Sequence, residues 1–356
     1  MQLPEHGANP HHVYGKLGMT PPARILDFSE NCNPAGPPRA VLDMWPDLVT
    51  RLHTYPDPAG EPFLSKVAEY HGVPQASVFA GNGAAEILSL IAERYRGKRA
   101  IVVHPTFSEY EATLMAKGVE IERVIASEAE GFGLPNEAVL SQIEEAAVVY
   151  ICTPNNPTGV MPERGDLLAI IQMAGEVGCE VVLDEAFVDF IDESRSFISE
   201  LRDSPHVIIV RSMTKMYAIP GIRLGYVVAH PDVIVELKSA APHWNVNGLA
   251  AAIGAVCLGE EAYREAAICS ARTEREKMTA FLKKFDCIVT ESEANFLTFK
   301  PRDAGKLYTD MLAKGIVLRH SENFRGMDGS WLRIGMKSSA EMEELRRELA
   351  GALINN

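Results

Sequence analysis

VIIVRSMTKMYAIPGIRLGY, residues 207–226, joins an unbroken apolar run to a lysine five positions beyond it. Four β-branched residues with no polar alternation read as a strand buried on both faces. An ammonium just past such a strand is costly to desolvate, so Lys215 needs a use. The same pattern recurs upstream, in AIVV (100–103), AVVYI (147–151) and EVVL (180–183). Amphipathic stretches such as ERGDLLAIIQMAGEVG (163–178) lie between these runs. A strand–helix–strand repeat of roughly 30 residues is the size of a βαβ unit. The pattern predicts an α/β fold whose large domain holds a mostly parallel sheet between helices.

Past HWNVN (243–247) the pattern changes. A long helical segment from Gly248 to Phe285 precedes short strands near CIVT (287–290), NFLTF (295–299) and WLRIG (331–335). A last helix, SAEMEELRRELAGAL (339–353), follows them. We expect a large domain over 46–247 and a smaller α+β domain over 248–356. The Pro/Gly-rich head through NPAGPP (33–38) is expected to form an arm, residues 1–45, packing with the small domain.

Of the 356 residues, 47% are apolar, enough for a sizeable core, and the formal net charge is −14. That charge argues against general binding to nucleic acid or an anionic membrane, while a few local arginines could still serve an anionic small molecule. No apolar run reaches membrane-span length, and MQLPEHGANPHH lacks the basic-then-apolar layout of a signal peptide. Six cysteines without a C-x-x-C pair suggest reduced thiols in the cytoplasm, and no metal site is expected.

Ligands of open α/β sheets bind beyond the carboxyl ends of the strands. Here AVVYI runs into CTPNNPTG (152–159), EVVL into DEAF (184–187) and VIIV into RSMTK (211–215). Asn156, Asp184 and Lys215 should therefore meet at one sheet edge. The trio suits pyridoxal 5'-phosphate. The lysine can bond the aldehyde, the carboxylate can face the ring nitrogen, and the amide can reach the phenolic oxygen. GNGAAE (81–86) opens an apolar helix, so the backbone N–H groups of Ala84 and Ala85 can take an anion, with Ser212 and Arg223 adding a hydroxyl and a guanidinium. Taken singly, each signal has an ordinary reading: a helix-capping Asp, a solvated loop lysine, a plain turn. Their order and spacing carry the inference. No G-x-G-x-x-G follows the first strand, which disfavours a dinucleotide-binding dehydrogenase.

SMTK followed by GIRLGY, with NNPTG and DEA upstream, resembles the class I/II aminotransferase family of pyridoxal-phosphate fold type I, over essentially the whole chain. The resemblance implies that Lys215 bonds the cofactor, Asp184 partners the pyridinium and Asn156 the phenolate. It implies that Phe107 in PTFSEY stacks on the ring and that Tyr55 in HTYPDP reaches the cofactor phosphate of a neighbouring subunit, hence a homodimer with composite sites. Arg333 in WLRIG matches the arginine that grips a substrate carboxylate. A regulatory protein on the same scaffold would carry an added DNA-binding domain or lack the lysine.

Two branches fit best, the threonine-phosphate decarboxylases and the histidinol-phosphate aminotransferases. HGANPHHVYGKLGM (6–19) with DFSENCNPAG (27–36) is similar to the first. The resemblance brings His6 and Asn31 to the substrate, although an exposed terminal histidine is the competing reading. Phe187 stands where most aminotransferases of this group have a phenolate-donating tyrosine. VLRHSENFRGMD (317–328) offers Arg319 for a substrate phosphate, against a plain surface arginine. Ala8 stands where the decarboxylase arm more often has a second glycine. Both branches take a phosphorylated amine, and transamination of histidinol phosphate stays open beside decarboxylation of threonine phosphate.

Overall fold

The computed structural model describes Leu3 and residues 7–354. The first strand, β1 (Leu26–Asp27), belongs to the arm. Seven strands then build the main sheet: β2 (Val78–Gly81), β3 (Arg99–His104), β4 (Glu120–Ile125), β5 (Val148–Cys152), β6 (Glu180–Asp184), β7 (Val207–Ser212) and β8 (Gly225–Val228). Their order is β2-β8-β7-β6-β5-β3-β4. Only β8 runs against its neighbours; the other adjacent pairs are parallel. Every residue of β2, β5, β7 and β8 is buried, as the absence of polar alternation demands. The amphipathic stretch at 163–178 is the helix Arg164–Val177, closed by Gly178 at φ +76.

Four more strands, β9 (Ile288–Val289), β10 (Phe296–Lys300), β12 (Arg319–His320) and β13 (Leu332–Gly335), form a second, antiparallel sheet in the order β12-β13-β10-β9. Between them in sequence, β11 (Ile316–Val317) pairs in parallel with β1. A second core forms here from Leu297, Ile334 and Leu345, and the arm joins it through Val13, Tyr14 and Phe28. The arm does not pack there throughout. Its helix Arg39–Leu48 puts Val41 and Leu48 into the large core instead.

The expected helix over Gly248 to Phe285 is two helices, Gly248–Cys257 and Glu261–Lys283, interrupted around Gly259, a residue with poor helix propensity. The division expected at residue 248 also differs from the packing. Ala250, Ala251, Ile253 and Cys257 lie in the large core. The second helix crosses between the units, with Ala267 and Ala271 in the first core and Met278 and Leu282 in the second. Polar alternation fades at Gly248 because these alanines are buried, so composition marks burial there rather than a boundary.

Candidate active site

The ends of β2, β3, β5, β6 and β7 share one edge of the main sheet, and the second sheet faces that edge across a cleft of about 380 Å³. Lys215, Asp184, Asn156, Ala84, Ala85, Phe107, Phe187, Ser212, Arg223, Asn31, Arg319 and Arg333 all line it. A larger groove of about 760 Å³ lies elsewhere, rimmed by Glu130, Glu137, Glu163, Asp166, Glu291 and Glu293. It gathers carboxylates with no lysine, arginine, histidine, cysteine or hydroxyl side chain beside them, whereas the smaller cleft combines a lysine, arginines and carboxylates.

One end of the cleft is an anion cradle. Gly81 of β2 pairs with Gly225 of β8, which pairs with Ser212 of β7. A Cβ at Gly225 would lie 2.7 Å from the backbone N of Ala84, so glycine permits this approach. Gly83, at φ +81, precedes the helix Ala84–Glu93, and no side chain caps it. The space a Cβ would fill at Gly83 is taken by the Arg223 guanidinium, 2.6 Å away. Free N–H groups, the Ser212 hydroxyl and a guanidinium therefore converge where a phosphate fits.

The centre holds Asp184 and Lys215. Asp184 closes β6, is 5% exposed, and accepts from the Tyr110 hydroxyl at 2.6 Å and the Ala186 N–H at 3.0 Å. Burial raises its pKa, and the Tyr110 hydrogen bond is the largest effect opposing that rise. Lys215 is partly buried, its ammonium makes no hydrogen bond or ion pair among the described residues, and its backbone carbonyl accepts from Asn33 at 2.9 Å. Phe107 stands edge-on to Tyr110 with ring centroids 5.9 Å apart. Phe187 is buried against Phe296 and has no hydroxyl to donate.

The far end carries two arginines. Arg319 of β12 and Arg333 of β13 are direct cross-strand partners, 4% and 7% exposed. Arg333 donates to Asn156 Oδ1 and, at 2.7 Å, to the Ser29 carbonyl. With its amide turned to present oxygen, Asn31 accepts from Arg333 at 3.3 Å. Burial, helped by the charge of Arg319, pushes the Arg333 pKa down to about 9. Arg319 donates to Asn323 Oδ1 at 2.6 Å, and burial brings its pKa to about 10. Glu30 also lines the cleft and is paired with Lys337.

A model match to aminotransferase class I and II covers residues 23–349. The chain belongs to this family. It is 35% identical to the threonine-phosphate decarboxylase of Salmonella typhimurium over 98% of this chain and 96% of that one. It is 30% identical to a histidinol-phosphate aminotransferase of Desulfitobacterium hafniense over 92% and 91%. The crystal structure of the histidinol-phosphate aminotransferase from Clostridium acetobutylicum superposes with a TM-score of 0.89 at 29% identity, covering 93% of this chain and all of that one. The fold-type I expectation holds, and pyridoxal 5'-phosphate is the cofactor this family's site is built for. The residues fit it: a helix start with no side-chain cap beside Arg223 for the phosphate, a buried carboxylate for the ring nitrogen, and, in the same cleft, a lysine whose ammonium has no hydrogen bond or ion pair among the described residues.

Two expected site residues lie apart. Tyr55 is 82% exposed, packs on Trp244 at 5.0 Å, and does not line its own chain's cleft. His6 lies outside the described residues, though Gly7 and Ala8 line the cleft. Sequence reasoning missed Tyr110, Thr214, Cys32 and Asn323, which also line it. Tyr110 sits in the quoted PTFSEY, but an aromatic at helical spacing reads as core. Burial pushes the Cys32 thiol up to about 11, which makes it a poor nucleophile.

Proposed function

We propose that this chain decarboxylates L-threonine O-3-phosphate to (R)-1-amino-2-propanol O-2-phosphate, a linker for cobalamin assembly, using pyridoxal 5'-phosphate held at Lys215. The observation that carries the reading is the Arg319–Arg333 pair. Like charges directly opposite each other across an antiparallel pair repel, and burial strengthens the repulsion. A substrate bearing both a phosphate and a carboxylate relieves it. Histidinol phosphate offers only the phosphate. The dicarboxylate 2-oxoglutarate of the transamination reading would also satisfy both arginines, so the pair is read together with the relatives' likeness.

When bound, the cofactor supplies a ring that accepts the electron pair left by a breaking bond at the substrate Cα. The chain's residues choose the bond. Arg333, braced by Asn156 and the Ser29 carbonyl, suits the carboxylate; Arg319 and Asn323 suit the phosphate. Two fixed anchors, one for each anionic group, would fix the orientation of the substrate at Cα and so select the bond to the carboxylate for cleavage. Carbon dioxide leaves and a proton takes its place at Cα. Asp184 would hold a proton at the cofactor's ring nitrogen, and Asn156 would hold its phenolic oxygen. In this reading His6 contributes to recognition of the substrate phosphate.

The active species in this proposal is a homodimer in which Tyr55 completes the partner's phosphate cradle. Its support is a set of exposed apolar side chains, Trp45, Val49 and Leu52 shortly before Tyr55 in sequence and Trp244 packed on its ring. All six cysteines are free thiols, and no helix among the described residues is long and apolar enough to cross a membrane. A cytoplasmic location is part of the same proposal.

The likeness to histidinol-phosphate aminotransferases, in sequence and in fold, favours transamination with 2-oxoglutarate as the second reading. Threonine phosphate, serine phosphate and histidinol phosphate, each supplied with and without 2-oxoglutarate, separate the two. Carbon dioxide from threonine phosphate in steady turnover without the keto acid is expected. Turnover of histidinol phosphate only when the keto acid is present, with no carbon dioxide from threonine phosphate, would reverse the assignment.

A further inference from the structure

The cleft contains two carboxylates, and they are treated differently. Glu30 is neutralised by Lys337. Asp184 has no cation within ion-pair distance among the described residues; it has Tyr110. Tyr110 lies on the helix Glu109–Ala116, is 0% exposed, and places its hydroxyl 2.6 Å from Asp184 Oδ2. Its ring is held edge-on by Phe107 and tilted against Tyr150, with centroids 5.7 Å apart in the second contact. The titratable groups facing Asp184 are Tyr110 from this helix, Cys152 at the end of β5 and Lys215 beyond β7. No other side chain donates to the carboxylate among the described residues.

We propose that Tyr110 is a positioning residue that keeps the Asp184 carboxylate ionised and turned toward the ring nitrogen of the pyridine-type cofactor. The inference rests on the pyridoxal-phosphate reading given above. A carboxylate stabilises a protonated ring nitrogen only while it is itself ionised, and complete burial works against ionisation. A short hydrogen bond from a buried hydroxyl acts the other way. Each carboxylate oxygen offers two lone-pair directions. Ala186 occupies one on Oδ1 and Tyr110 one on Oδ2, so the carboxylate cannot rotate without losing a donor. Packing alone explains the ring of Tyr110 but not its hydroxyl, which a phenylalanine would lack at no cost to the apolar contacts.

The test is Tyr110→Phe, which keeps both ring contacts. Retention of pyridoxal phosphate by the holoenzyme is compared with retention of its deaza analogue, in which C–H replaces the ring nitrogen, both read by absorbance after dialysis. The substitution should raise the dissociation constant of the natural cofactor roughly tenfold or more, and leave that of the deaza analogue unchanged. In an Asp184→Asn background, Tyr110→Phe should add no further loss. Equal weakening of both cofactors, or no weakening of the natural one, would overturn the role. A native protein that retained neither cofactor would instead overturn the pyridoxal-phosphate reading beneath it.

Discussion

Arg319 and Arg333 illustrate how a single residue pair sets what a cleft accepts. Arg319→Ala should lower kcat/KM for threonine phosphate by about 1.5–3 kcal/mol, the worth of a charge-assisted contact, and leave slow turnover of free threonine nearly unchanged. Steady-state kinetics on the two substrates checks this; an equal loss on both would remove the phosphate from Arg319. Lys215→Ala should abolish borohydride fixation of the cofactor while the fold persists, since the cradle and Asp184 remain. Peptide mapping that put the reduced adduct on another lysine would refute the assignment. A third residue titrates away from the cleft. His71 bonds the Tyr226 hydroxyl at 2.8 Å, and burial, helped by the Arg211 charge, pushes its pKa from 6.5 down to about 3. The folded pKa is the lower one, so the unfolded chain binds the extra proton. Its contribution is therefore complete above pH 6.5 and is lost as pH falls toward 3. His71→Gln should flatten the fall of unfolding free energy across that window by up to about 1.4 kcal/mol per pH unit. Urea titrations at several pH values measure it.

Elements place these residues, and the arm shows how. The N–H of Ala8 donates to Ser29 Oγ at 3.0 Å, while a Cβ on Gly7 would sit 2.7 Å from the Ser29 carbonyl that Arg333 holds. Ala8 has φ +65, a left-handed conformation costly for a residue with a Cβ. Ala8→Gly should stabilise the docked arm by about 1 kcal/mol, seen as slower proteolysis of the arm. Faster cleavage would mean that Ala8 makes contacts worth more than the strain. The main parallel strands were legible because VIIV, AVVYI and EVVL lack polar alternation, and their carboxyl ends then located Asn156, Asp184 and Lys215. Other features left weaker traces. β8 lies between β2 and β7, and nothing in GYVV announces its reversed direction. The cross-strand meeting of Arg319 with Arg333 depends on the register of two short strands. Tyr110 carries no local signal of its bond to Asp184, 74 positions away.

At the scale of the molecule, two cores meet across the cleft. The helix Glu261–Lys283 contributes residues to both and so ties the part that carries Arg319 and Arg333 to the part that carries Lys215. Assembly adds Tyr55. Tyr55→Phe should weaken cofactor retention by about 1.5–3 kcal/mol if its hydroxyl reaches a partner's phosphate, and sedimentation at assay concentration should find a dimer; a fully active monomer would contradict the composite site. The central claim, that two arginines select the bond to the carboxylate rather than the Cα–H bond for cleavage, is tested most directly in a single turnover. Holoenzyme is mixed with a stoichiometric amount of carboxyl-labelled threonine phosphate and no keto acid. The account predicts one labelled carbon dioxide per site with the cofactor recovered as the aldehyde. Cofactor recovered in its amine form, with the label still in the organic product, would contradict it.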